Sequence, residues 1–188
     1  MIYLASSSPR RHRLLREAGI RFKVLRPRYE EKKHGGGSVL QLTRRHALGK
    51  ALSVAARLRE GIVLGADTVV LFGTQVLGKP RSMRDAGVML SRLAGHTHRV
   101  VTTVALLRVK KRCPVKRVVF TVTSRVRLKK MTPLVRGRYL KRIRPLDKAG
   151  AYAAQAGGPG AVESVRGSFT NVVGLPIEKL KKHLRMLK

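Results

Sequence analysis

The sequence predicts an α/β fold, an extended, twisted mixed sheet flanked by helices, and three observations carry that prediction. Short β-prone apolar stretches alternate with helix-prone stretches along most of the chain. The first nineteen residues, MIYLASSSPRRHRLLREAG, read as strand, tight loop, helix. The middle third holds two long strand-like runs, one apolar on both faces and one strictly alternating. At 188 residues the chain fits one domain, 1–188, or one domain with two lobes, better than two independent domains.

Ile2 to Ala5 is a short apolar strand, Ser6 to Ser8 a small polar loop, and Arg10 to Ala18 a helix whose first turn suits Pro9. A helix opening on such a loop offers free backbone N–H groups, hydroxyls and the positive end of its dipole, with Arg10 and Arg11 beside them. A phosphate chain is the natural guest. A serine N-cap before an exposed basic helix is the plainer reading, and on this stretch alone both stand. Phe22 to Leu25 alternates as a strand, and Pro27 to Gly37 is a polar loop ending in three glycines.

Ser38 to Leu58 reads as a helix with Leu48, Ala51, Leu52, Ala55 and Leu58 on its apolar stripe and Arg44, Arg45, Lys50 and Arg57 off it. Ile62 to Leu64 and Thr68 to Leu71 are strands, broken by Gly65-Ala66-Asp67, and Phe72 to Gln75 is a hairpin turn. After a loop at Lys79-Pro80, Ser82 caps a helix to Leu93 with Asp85 in its first turn, and Gly95 ends it. His98 to Val109 is a central strand; Val118 to Leu128 alternates with Arg117, Thr121, Thr123, Arg125 and Arg127, which predicts a wet, basic face. Thr132 to Ile143 is a helix, Gly150 to Gly160 a glycine-rich run, Val162 lies in a short strand, and Pro176 to Leu187 is the last helix. No internal repeat or long linker divides the chain.

A hydrophobic fraction of 43% excludes a chain disordered by composition. Forty-two Lys and Arg against nine Asp and Glu leave a net charge of +33, which repels itself and predicts salt-dependent, sequence-independent adhesion to nucleic acid or other anionic surfaces. Aromatic residues at 4%, with no Trp, supply few stacking platforms for a single-strand binder. A single cysteine, Cys113, excludes an internal disulfide and a multi-cysteine zinc site and reads as a half-buried strand-end thiol. Arg10, Arg11 and Arg13 interrupt the N-terminus and no run approaches a membrane span, so the expected location is cytoplasmic, with no membrane partner.

Asp67 is the acid that most asks for a role, because a carboxylate inside IVLGADTVVL loses solvation unless a cation or a proton-transfer task keeps it there. A turn-forming or capping aspartate is the alternative. Asp147 reads as a cap or a partner of Lys148, and of the adjacent Glu30 and Glu31 only one can face a site from an extended segment. Lys50 and Lys79, if they converge with Arg10 and Arg11, neutralise a triphosphate and a leaving pyrophosphate. His96 and His98 have no third ligand nearby in sequence, and neither GxxxxGK[ST] nor GxSxG is present.

LASSSPRR at 4–11, GADTVV at 65–70, GKP at 78–80, LDKAGAYAAQ at 146–155 and GSFTNVVGLP at 167–176 together resemble the Maf family of nucleoside triphosphate pyrophosphatases, over nearly the whole chain. The resemblance implies a Maf/ITPase-like fold of two lobes with the active-site cleft between them. It also implies cleavage of a nucleoside triphosphate to monophosphate and pyrophosphate in the cytoplasm with Mg²⁺ or Mn²⁺. By similarity Asp67 is the proton acceptor or a metal ligand, with Glu31 as a metal partner. Ser6, Arg10, Arg11, Lys50 and Lys79 hold the phosphates. Arg10, Thr68 and Gln155 match the branch acting on dTTP and UTP, whereas the branch favouring 7-methyl-GTP carries Trp after the proline. Removal of non-standard nucleotides such as modified pyrimidines, a link to septum inhibition, and a homodimer also come with the family.

Two departures stand out. Gly49 occupies the position before Lys50 where the family usually has Glu, and Arg136, Arg138, Lys141 and Arg142 occupy a helix that is normally acidic. The core motifs survive under a cationic surface, so persistent catalysis with inhibition by nucleic acid is expected. The rival reading is a basic nucleic-acid-binding protein that keeps the fold without catalysis.

Overall fold

Gly61–Phe72 forms one continuous twelve-residue strand, β3, running straight through Gly65-Ala66-Asp67, where the pattern predicts a break. In the computed structural model, which describes residues 1–31, 38–154 and 160–187, helix α2 (Val39–Ala55) explains the difference. A Cβ on Gly65 would stand 2.3 Å from the Ala47 carbonyl oxygen and 2.9 Å from Ala51. Gly65 is therefore a point of close helix approach rather than a turn.

The described strands are β1 (Ile2–Ala5), β2 (Phe22–Val24), β3, β4 (Gln75–Leu77), β5 (Thr97–Lys110), β6 (Cys113–Leu128) and β7 (Val162–Arg166), in the order β2-β1-β3-β5-β6-β7 with β4 also on β3. The open mixed sheet is the one expected. The chain divides into two units, Met1–Asp67 with Thr102–Val122 and Gly174–Lys188, and Thr68–Val101 with Thr123–Val173.

In the first unit β1 pairs in parallel with both β2 and β3. Helix α1 (Pro9–Glu17) follows β1 directly. Helix α2 starts as the pattern expects, in a capping box: Ser38 Oγ accepts from Gln41 N at 3.2 Å and Gln41 Oε1 accepts from Ser38 N at 2.9 Å. Its buried face differs from the expected stripe. Ala47, Ala51, Val54 and Ala55 pack against Ala5, Val63, Ala105 and Leu107, while Leu52 is exposed, Lys50 is buried, and the helix ends at Ala55 rather than Leu58. Alanines let the helix come close, and a leucine stripe would hold it off. Strand β6 begins at Cys113 rather than Val118; β7 pairs only with Arg125–Leu128, so Pro114 lies on an unpaired edge where proline is tolerated. Cys113 is exposed, not half-buried. Helix α6 (Ile177–Arg185) lies along β6, with His183 stacked on Phe120 at 4.3 Å.

In the second unit a hairpin at Gly73 (φ 59°) pairs Phe72 with Gln75, as expected. Helices α3 (Met83–Leu93) and α4 (Pro133–Arg142) close a core of Val70, Leu90, Leu93, Val126, Tyr139 and Leu140. Ser82 Oγ accepts from Asp85 N at 3.1 Å, the expected cap. The wet basic face of β6 is strict only from Thr123 to Leu128. A short helix, α5 (Phe169–Val173), carries no periodic signal of its own. Asn171 anchors it, its amide nitrogen donating to the Val100 carbonyl at 3.1 Å and to Ser124 Oγ at 2.9 Å. No helix among the described residues is long and apolar enough to cross a membrane.

Candidate active site

The first unit gathers its polar side chains around one carboxylate. Asp67, 6% exposed near the middle of β3, is neither a turn nor a cap: Lys50 Nζ donates to its Oδ1 at 2.7 Å. The same ammonium lies 2.8 Å from Glu31 Oε1, so Lys50 bridges two acids. Of the adjacent pair, Glu31 faces the site.

His46 is the site residue that sequence reading missed. Its Nδ1 lies 3.6 Å from Asp67 Oδ2 and 3.9 Å from Glu31 Oε2. The missed signal was the spacing Thr43, His46, Ala47, Lys50, Val54, a helical face made of small and polar residues, all of them buried. Tyr29 sets the His46 ring edge-on at 5.9 Å, and covers Gly49 so closely that a Cβ there would stand 2.2 Å from the tyrosine ring. A glutamate at position 49 would displace that ring.

Burial by itself would raise the Asp67 carboxyl, but the hydrogen bond from His46, the charge and hydrogen bond of Lys50 and the charge of Arg11 outweigh it and hold it at about 2. The same hydrogen bond raises His46 above its ordinary value. Asp67 is thus ionised throughout the neutral range. One donor atom each from Glu31, His46 and Asp67 lies within 4.8 Å of the others, and this oxygen and nitrogen set fits a divalent cation.

The opening loop stands in the same unit. Ser8 precedes α1 but makes no side-chain cap bond; Ser6 Oγ instead accepts from Ser8 N and from Arg11 Nη1, both at 3.2 Å. Arg11 is buried rather than splayed on a basic helix, and it donates to the Ala66 carbonyl at 3.0 Å and the Gly174 carbonyl at 2.9 Å. Those bonds tie the serine loop to the residue before Asp67 and to the chain before α6. Arg10 is half-buried. The first unit therefore brings together Ser6, Arg11, Glu31, Lys50 and Asp67. Thr68, half-buried, and Lys79, exposed, belong to the second unit. Gln155 lies outside the described residues.

A family model described as Maf-like protein matches residues 1–187. A dTTP/UTP pyrophosphatase of Gloeobacter violaceus is 41% identical over 179 residues, 95% of this chain and 92% of that protein. Proteins of the same name from Clostridioides difficile and Aquifex aeolicus are 40% and 39% identical, covering 95% and 99% of this chain and 91% and 95% of their own. The Staphylococcus aureus Ham1 protein shares the fold at a TM-score of 0.53 and 15% identity, over 100% of this chain and 99% of that one.

Proposed function

The chain belongs to the Maf family, and from that premise we propose that it hydrolyses dTTP and UTP, and modified pyrimidine triphosphates, to the monophosphate and pyrophosphate in the cytoplasm, clearing the nucleotide pool. The observation that carries the reading is the buried, ionised Asp67 held by Lys50 and His46 beside the Ser6 and Arg11 loop, on a chain about 40% identical to relatives bearing that name.

In this reading the Ser6 loop and the N-terminus of α1 receive phosphate oxygens, with Arg10 and Arg11 supplying positive charge. Arg11, pinned by its three acceptors, acts as a fixed charge and needs no reorganisation when substrate arrives. Lys50 is the cation shared between the two acids. A carboxylate held at about 2 is a weak base while the ammonium sits on it. A triphosphate drawing Lys50 toward itself raises Asp67's proton affinity as the attacking water must lose a proton. Glu31 and Asp67 would hold a divalent cation, Mg²⁺ or Mn²⁺, which would supply Lewis acidity toward the phosphates. Lys79 as a phosphate partner, and Thr68 and Gln155 with Arg10 in base selection, enter by motif alone, as does a homodimer. Pyrophosphate release from dTTP, UTP, CTP, dATP, GTP and 7-methyl-GTP tests the reading. Turnover confined to dTTP and UTP, lost in Asp67→Asn, is the expected result, and no turnover of any nucleotide refutes it.

One observation favours a second activity, adhesion to nucleic acid. Arg44, Arg45 and Arg117, with Leu48 and Val119, line a cavity of about 440 Å³ in the first unit. None of the three has an ion pair among the described residues. Oligonucleotide binding that weakens steeply with salt, and weakens more in an Arg44→Glu/Arg45→Glu variant than in Arg138→Glu/Lys141→Glu, is the expected outcome.

A further inference from the structure

We infer that His46 is a third ligand of the divalent cation, making the site a mixed nitrogen and oxygen one that selects a first-row transition ion over Mg²⁺. The inference rests on the proposed metal-assisted reading of the same site, and deepens it by naming which ion this chain is built to hold.

Lys50 and His46 take opposite sides of the same two carboxylates. The ammonium lies on Asp67 Oδ1 at 2.7 Å and Glu31 Oε1 at 2.8 Å. The imidazole Nδ1 faces the other oxygens, Asp67 Oδ2 at 3.6 Å and Glu31 Oε2 at 3.9 Å. Ligand atoms bonded to one ion at about 2.1 Å stand about 3 Å apart in adjacent positions and about 4.2 Å apart across it. Both nitrogen–oxygen spacings fall between these limits, and one donor atom of each of the three residues lies within 4.8 Å of the others. An ion can sit among Oδ2, Oε2 and Nδ1, releasing to solvent the proton with which His46 bonds Asp67, while Lys50 stays on the far oxygens in the nucleotide-free chain.

Lys50 engages Asp67 Oδ1 and Glu31 Oε1, which leaves Oδ2 and Oε2 facing the imidazole. His46 is 6% exposed on the buried face of α2 that also carries Thr43, Ala47, Lys50 and Val54, which aims its ring at the two acids. Tyr29, lying over Gly49 and edge-on to His46, restrains the ring as a ligand requires. Carboxylate and water sites suit Mg²⁺, whereas one imidazole among the donors shifts preference along the first transition row.

The experiment uses the full chain without nucleotide, loaded with metal alone. Pulsed electron paramagnetic resonance of bound Mn²⁺ should show nitrogen modulation from an imidazole in the wild type, lost in His46→Gln. Calorimetry with Co²⁺ and with Mg²⁺ should give at least about a hundredfold preference for Co²⁺, falling about tenfold or more in His46→Gln. Bound Mn²⁺ without nitrogen modulation, no bound metal at all, or a preference unchanged by the substitution overturns the inference. The wild-type spectrum decides even where the variant does not fold. Nitrogen modulation without pyrophosphate release refutes the proposed activity and leaves the ligand standing. Pyrophosphate release with a metal that shows no nitrogen modulation does the reverse.

Discussion

Asp67 in the first unit and His98 in the second are both nearly removed from solvent, at 6% and 2% exposed, and burial has opposite results in the two places. Around Asp67 the chain supplies Lys50, His46 and Arg11, and the carboxyl stays charged, held at about 2 against a desolvation that would raise it. Around His98 it supplies a neutral phenol: the ring Nε2 shares a 2.8 Å hydrogen bond with Tyr152 Oη, the two rings meet edge to face at 5.2 Å, and burial pushes the imidazole down to about 4. The same burial in turn raises the Tyr152 hydroxyl. One unit is assembled to keep charge inside and the other to keep it out. Burial alone therefore does not set a group's charge: the cations around Asp67 keep it ionised, and the neutral phenol beside His98 does not.

The largest expected effect separates the two sites by function. Asp67→Asn should lower pyrophosphate release about a thousandfold, whereas His98→Gln should change kcat by less than about tenfold; comparable losses in both would erase the distinction. Next comes the cost of removing a cation. Lys50→Met leaves two carboxylates without their shared partner and should cost about 3–5 kcal/mol in urea unfolding, and a loss near zero would mean that Asp67 is not held by Lys50.

The third prediction uses pH. His98 is lower in the folded chain than its ordinary 6.5, so the unfolded chain binds the extra proton and stability falls as pH drops from about 6.5 to about 4. The full shift is worth about 3 kcal/mol. Asp67 is also lowered, but from 3.8 to about 2, so its contribution is intact above about 4 and disappears below it. Urea titrations at steps from pH 7 to 3 should show the two windows in succession, with the upper one absent in His98→Gln. A single acid transition unchanged by that substitution would contradict the contrast. The smallest effect is Tyr152→Phe, which leaves His98 Nε2 without its partner and should cost about 1–3 kcal/mol with an unaltered turnover rate.

Much of the fold was legible in local pattern. The strand, loop and helix of the opening stretch, the capping box at Ser38, the cap at Ser82 and the hairpin at Gly73 each rest on residues within a few positions of one another, where sequence and geometry are directly linked. Asp67 was legible as a carboxylate out of place in an apolar run, and five motifs in order pointed to a family that the comparison bears out. The break at Gly65 was misread because a glycine that admits a neighbouring helix looks, in sequence, like one that makes a turn.

What the sequence by itself determined was the inventory: which segments form strands and helices, which acid is costly to bury, and which family the chain resembles. The tertiary structure decided the pairings. Lys50 and His46 lie on the helix face built of alanines, and a pattern search that weights leucine assigns Lys50 to solvent and passes over His46. Only the packing of α2 on β3 brings positions 46 and 50 to Asp67. Glu31 rather than Glu30 reaches Lys50 for a similar reason, because the choice depends on where the backbone after β2 passes and not on the two identical side chains. Local periodicity records which face of an element is apolar; which distant residue that face meets is set by the closest approach the small side chains allow.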